Sequence, residues 1–177
     1  MSQAALIESF LVSLRNDDPH KAHQLEALDE EGKRQLAGIL GRFDLRDQDA
    51  LNPRELLKAS RVLNKLQRPG DSGALVAMNK VLDYLDLNAN AKLEDAEVEL
   101  VLETLDAFAG IESDNATLSE HELELLYAVL RHLDSNDSHR LESDQRAKLR
   151  DRLREPRNFW EEEKRSNPRV RALLGLD

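Results

Sequence analysis

The chain has 177 residues, a formal net charge of −10 at pH 7, and 34% charged against 40% hydrophobic residues, a helix-rich composition sufficient for one good-sized domain or two small ones. It contains no cysteine, which excludes disulfides, thiolate metal sites and cysteine nucleophiles. No apolar run has the length of a membrane span, and no basic leader precedes the first apolar positions, so a cytoplasmic protein without a secretory signal is expected.

The charge is uneven. Residues 1–82 carry 12 acidic and 12 basic side chains, residues 83–137 carry 15 acidic against two basic (Lys92 and Arg131), and residues 138–177 carry eight acidic against 11 basic. Nucleic acid is disfavoured as a partner, because phosphate requires positive charge. The acidic middle suits a cation or a basic partner, or forms a solvated helical surface.

Taken in order, residues 3–15 place Leu6, Ile7, Phe10, Leu11 and Leu14 on one helical stripe. Asn16-Asp17-Asp18-Pro19 ends it, and a short helix is expected over 20–28. His20 and His23 there stand three apart without a third ligand nearby, the pattern of solvated histidines. A helix over 30–43 carries Leu36, Ile39, Leu40 and Phe43, and Asn52-Pro53 suits the N-cap and first turn of another, running to Leu66. Arg68 to Gly73 is the clearest break. Beyond it, Met78, Val81, Leu82 and Leu85 line one helix, and Val98, Val101, Leu102, Leu105 and Phe108 line the next. Residues 109–118 read as a polar linker. Ser119 with Glu122 is a capping-box signature for a helix over 120–133, and a basic helix follows Leu141 to about Arg154, where Pro156 is expected to stop it. Phe159 and Trp160 are expected to cap the core, ahead of a short apolar tail of Val170, Leu173, Leu174 and Leu176.

One stretch recurs. Asp86 to Glu97 sets oxygen-bearing side chains at alternate places, Asp86, Asn88 and Asn90, then Lys92 at the seventh place, Leu93 at the eighth, Glu94 at the ninth and Glu97 at the twelfth. Asp44 to Glu55 repeats it with Leu51 and Glu55 in place but Arg46, a permanent cation, at the third position. Asp134 to Gln145 repeats it with Asn136, Ser138, Leu141 and Glu142, and with Gln145 where the last carboxylate should be. The three copies share apolar residues eight, five, four and one places before the Asp, which makes this an internal repeat. Residues 111–122 echo only the second half, with Leu118 and Glu122.

The 86–97 loop resembles the twelve-residue loop of the EF-hand calcium-binding family, and the resemblance covers about residues 34–154. It departs at the sixth place, where Ala91 stands instead of the glycine that the sharp bend favours. The resemblance implies an all-α fold of EF-hand-like helix-loop-helix repeats in a compact helical bundle of about eight helices. It divides the chain into an N-terminal helical region (1–68), a pair of hands (73–155) and a tail (156–177), unless all form one domain. It implies Ca²⁺, with Mg²⁺ as the competing ion, held by Asp86, Asn88, Asn90, the Lys92 carbonyl, Glu94 and Glu97. In that family the eighth residues of two loops pair through a short β-bridge; the 86 and 134 loops are the favoured partners, with the 44 loop pairing with the 86 loop, or with a stretch near residues 17–29, as the alternatives. The first functional expectation is therefore a calcium-binding sensor or buffer. The alternative is a metal-independent interaction scaffold with a protein partner. Without a phosphate loop, a zinc motif or a nucleophile elbow, no enzyme is expected.

Overall fold

Short polar side chains and prolines set the helix starts. Asp18, Asp29, Asn52, Asp71, Ser119 and Asn167 each accept a backbone N–H from the first turn of the helix that follows, and Pro19, Pro53, Pro156 and Pro168 occupy first-turn positions. Proline fits there because the N–H it lacks has no helical partner anyway. The computed structural model describes residues 3–45, 50–86, 92–109, 117–134, 138 and 140–176, and among them it forms ten helices and no β-strand. These are α1 (Gln3–Asp17), α2 (Pro19–Glu26), α3 (Glu30–Gly41), α4 (Pro53–Leu63), α5 (Ser72–Leu85), α6 (Asp95–Phe108), α7 (Glu120–Leu133), α8 (Ser143–Leu153), α9 (Pro156–Ser166) and α10 (Pro168–Leu173).

The first eight match the sequence expectation to within a few residues. The last two correct it. The preceding helix ends at Leu153, ahead of Pro156 as expected, but the tail beyond it forms two further helices, opened by Pro156 and Pro168. Phe159 and Trp160 are buried and meet Phe108 edge-on, at 5.7 and 6.2 Å between ring centroids. One turn further along the same face of α9, the buried Glu163 carboxylate accepts from the Asn167 amide at 2.9 Å and meets His132 Nδ1 of α7 at 2.7 Å.

The helices pack in two rows. In one, α1, α3, α5 and α7 follow side by side, with α10 against α7; in the other, α4, α6, α8 and α9 follow likewise. Each helix pair (α3–α4, α5–α6, α7–α8) is thus one unit stacked on the last, the arrangement of a short helical solenoid. One continuous apolar cluster runs through it from Leu6 to Val170. Between α3 and α5 the seam also has a polar lock. Buried Arg42 reaches Asn79 and Asp83, and the Asn79 amide donates to Gln35 O at 3.0 Å.

The units are joined at their loops by backbone bonds. Leu93 N–H donates to Arg42 O at 2.7 Å, and Leu141 N–H donates to Tyr84 O at 3.1 Å. In both cases an eighth-place leucine bonds to the helix end two residues before the preceding loop's first Asp. This differs from a reciprocal pairing of eighth-place residues. The 134 loop does meet the 86 loop's unit, but through Tyr84, while Leu93 is committed to the 44 loop's unit. At the opposite ends of the helices, Leu118 forms an isolated parallel bridge with Leu66: Leu118 N–H donates to Lys65 O at 2.7 Å and Gln67 N–H to Leu118 O at 2.9 Å. Stacking unit on unit gives Leu93 and Leu141 this one-directional relay.

Leu93 and Leu118 are fully buried, whereas Leu57 is exposed. Replacing either buried leucine with alanine should lower the unfolding free energy by about 2–5 kcal/mol, through lost burial and the cavity left behind. Leu57→Ala should change it by less than about 0.5 kcal/mol. Urea unfolding followed by circular dichroism measures all three.

Candidate functional site

The site that the sequence singles out is the loop between α5 and α6. Asp86 stands at the end of α5 and Glu97 in the first turn of α6, and both are buried. Asn88 and Asn90 lie outside the described residues, as do Ala91, Arg46 and most of the 111–122 stretch. The remaining two expected ligands have clear local roles. Glu94 is the exposed N-cap residue of α6, and its N–H donates to Glu97 Oε1 at 2.9 Å. Lys92 turns its ammonium to the neighbouring unit, donating to Gly41 O at 3.0 Å and Asp44 O at 2.8 Å. Those carbonyls lie at the C-terminal end of α3, where helix carbonyls lack intrahelical donors and a cation is favoured by the helix dipole.

The same closure is repeated in every unit. The twelfth-place side chain accepts the ninth-place backbone N–H: Asn52 to Glu55 at 2.9 Å, Glu94 to Glu97 at 2.9 Å, Ser119 to Glu122 at 3.0 Å and Glu142 to Gln145 at 2.9 Å. Glu55, Glu97, Glu122 and Gln145 are all buried, as are Leu51, Leu93, Leu118 and Leu141 at the eighth place. In the 44 loop both carboxylate oxygens of Glu55 are engaged, Oε1 by Asn52 N–H and Oε2 by Leu45 N–H at 3.1 Å. The carboxylate thereby ties the start of the loop to its end, a task that a bidentate bound ion performs in a calcium loop. Gln145 makes the same bond as the glutamates, so the closure needs an acceptor oxygen and no negative charge.

The first-place Asp134 is also used internally. Asp134 Oδ1 accepts the Ser138 N–H at 3.0 Å, and its Oδ2 accepts the Tyr84 hydroxyl at 3.3 Å. Burial, then the Asp134 charge, pushes the Tyr84 phenol up to about 12. Of the expected ligands of the 86 loop, Asp86, Lys92, Glu94 and Glu97 are described. Asp86 and Glu97 stand at its two ends, and the Lys92 side chain serves the adjacent unit. Among the described residues no three His, Asp or Glu side chains stand together as a metal-holding group.

The fourth closure, at Ser119 and Glu122, was legible as a helix cap and as an echo of the second half of a loop. Its equivalence to the other three follows from Leu118, whose N–H bonds to a neighbouring unit as those of Leu93 and Leu141 do. The eight-and-twelve spacing of Leu118 and Glu122 was the available signal. Comparison with known protein families, curated proteins and solved structures finds no match to the chain.

Two measurements check this geometry. Lys92→Met should lower stability by about 1–2 kcal/mol, since two charge-assisted bonds to carbonyls at a helix end are lost from a partly exposed position; thermal unfolding reads it. For Tyr84, the folded-state pKa lies above the ordinary value of 10.0. Its contribution to stability is then complete below about pH 10 and is lost as the pH rises to about 12. An ultraviolet phenolate titration should show a late step near pH 12 that Tyr84→Phe abolishes.

Proposed function

We propose that this chain is a metal-independent helical scaffold that binds a protein partner, its EF-hand-like loops serving as joints between stacked units. The observation that carries this reading is the repeated closure of each loop by its own twelfth-place side chain, which Gln145 performs as well as Glu55, Glu97 and Glu122. The Lys92 ammonium on Gly41 O and Asp44 O supports it further, by supplying a positive charge at the mouth of the 44 loop from within the protein. Loops stabilised in this way hold the two rows together without an ion, and the helix surfaces remain for a partner.

A second reading has one observation in its favour. Asp86 and Glu97 are buried carboxylates at the two ends of the most complete loop, where calcium would use the first- and twelfth-place oxygens. Calorimetric calcium titration with amide NMR separates the readings, on the wild type and on Glu97→Gln. The glutamine variant keeps the acceptor oxygen that Gln145 shows to be sufficient for closure, and removes the carboxylate. The scaffold reading expects no saturable heat up to about millimolar calcium, a range that spans the weakest EF-hand sites, and the same melting temperature with chelator or calcium. Saturable binding in the wild type that Glu97→Gln removes would establish calcium binding instead.

A further inference from the structure

The second row carries its charge in alternating helices. α4 bears Arg54, Lys58 and Arg61, α6 bears Asp95, Glu99, Glu103 and Asp106, and α8 bears Arg150, Arg152 and other bases. Two of the three seams in this row are closed by ion pairs. Arg54 and Lys58 reach Asp95 across α4–α6, and Lys65, just beyond α4, reaches Asp106. Arg152 meets Glu162 at 3.1 Å across α8–α9. Among the described residues no ion pair crosses α6–α8, although that seam also sets acidic against basic side chains.

A groove of about 800 Å³ lies there instead. One wall is Glu103 and Asp106 of α6, and the other is Arg150 of α8 with Arg154 at its end. Ala107 and Leu153, partly buried against the core, form the floor. Arg150 and Arg154 stand one turn apart, as Glu99 and Glu103 do on α6, so each wall runs along its helix. Asp106 is already engaged by Lys65, and Arg154 touches only Asp151 of its own helix, at 3.7 Å with both side chains largely exposed. Glu99, Glu103 and Arg150 are exposed and join no ion pair among the described residues. The groove is interior to the row. It lies between the α5–α6 and α7–α8 units, and each wall has a further helix behind it, α4 or α9.

The two walls select what fits. A ligand of one sign is drawn to one wall and repelled by the other, since like charges repel as strongly as opposite charges attract. A ligand with a row of each sign satisfies both walls. An α-helix supplies such rows, because residues three and four apart line one flank, a second set lines the opposite flank, and the side chains between them face the floor.

We propose that the α6–α8 groove is the docking surface of the scaffold, and that it takes a helix of a partner protein with acidic side chains along one flank, facing Arg150 and Arg154, and basic side chains along the other, facing Glu99 and Glu103. The docking surface presupposes the partner of the scaffold reading but uses none of the loop-closing bonds, so its failure leaves those bonds and the metal-independent fold standing.

The probe is an alanine-rich helical peptide with a row of glutamates on one flank and a row of lysines on the other. Three peptides serve for comparison: one of the same composition with the charges mixed on both flanks, one with glutamates alone and one with lysines alone. Amide NMR titration of the full chain in chelator reads the binding. The two-row peptide should saturate with a dissociation constant between about 10 µM and 1 mM, the weak range of small contacts. It should shift amides of α6 and α8, bind about fivefold more tightly than the other three, and weaken with added salt. Glu99→Lys with Glu103→Lys makes both walls basic, and should weaken the two-row peptide about tenfold while strengthening the glutamate peptide. Arg150→Glu with Arg154→Glu makes both walls acidic, and should shift the preference to the lysine peptide. All four substitutions together exchange the walls. A helix seats in the groove in either direction, so the quadruple variant should regain the wild-type affinity for the two-row peptide. The four positions are exposed, and circular-dichroism melts of the variants should stay close to the wild type. A two-row peptide that does not bind the wild type, or binds no better than the mixed or single-sign peptides, overturns the proposal. So do shifts confined to other helices, or a quadruple variant that does not recover.

Discussion

The structure depends on a backbone bond made by a buried leucine. In two of the loops the eighth-place residue, Leu93 or Leu141, inserts its side chain into the core and hands its N–H to the helix end of the unit before it. A buried amide without a partner costs about 1–3 kcal/mol, so each such residue fixes both the depth and the register of its loop. Two such bonds set the spacing of three units, and the Leu66–Leu118 bridge sets it at the opposite ends of the helices. The apolar cluster between the rows then has one way to interdigitate. Burial supplies the stabilisation, and these few bonds determine which units become neighbours.

This explains why the loops retain their pattern while their ligand places vary. An acceptor oxygen at the twelfth place closes the loop, and Glu or Gln serves. A leucine at the eighth place docks it. An aspartate at the first place collects nearby donors, as Asp134 does from Ser138 and Tyr84. The third and fifth places are where the copies diverge in sequence, with Arg46 in one, Asn88 and Asn90 in another and Asn136 and Ser138 in the third.

Most of the helical layout was legible in the sequence. The stripe of Leu36, Ile39, Leu40 and Phe43 and its two counterparts gave the long helices, and Asn52-Pro53 and Ser119 with Glu122 gave their starts. Pro156 was read only as a stop, because a proline after a helical run signals an end, and it also opens the next helix; Pro168 opens another where a short apolar tail was expected. The arrangement of units was not legible. A period of 40 to 50 residues with a loop in each unit fits either reciprocal pairs or a one-way stack, and the choice rests on where a single N–H of Leu93 goes. That carbonyl, Arg42 O, lies 51 residues earlier in the numbering. Of the site, the spacing located Asp86 and Glu97 at the loop ends, but it could not show that Lys92 reaches across to Gly41 and Asp44. Nor could it reveal the Glu163–Asn167 bond that anchors the last helices, since Glu163 sits in a run that reads as solvated charge.

The central claim is that protein groups alone hold the loops in place, and amide hydrogen exchange tests it most directly. In chelator, the N–H groups of Leu93, Leu118 and Leu141 should exchange as slowly as those in the middle of α5 and α7, and added calcium should leave their rates unchanged. Fast exchange at these three positions in chelator, slowed on adding calcium, would contradict the account and make the ion the element that joins the units.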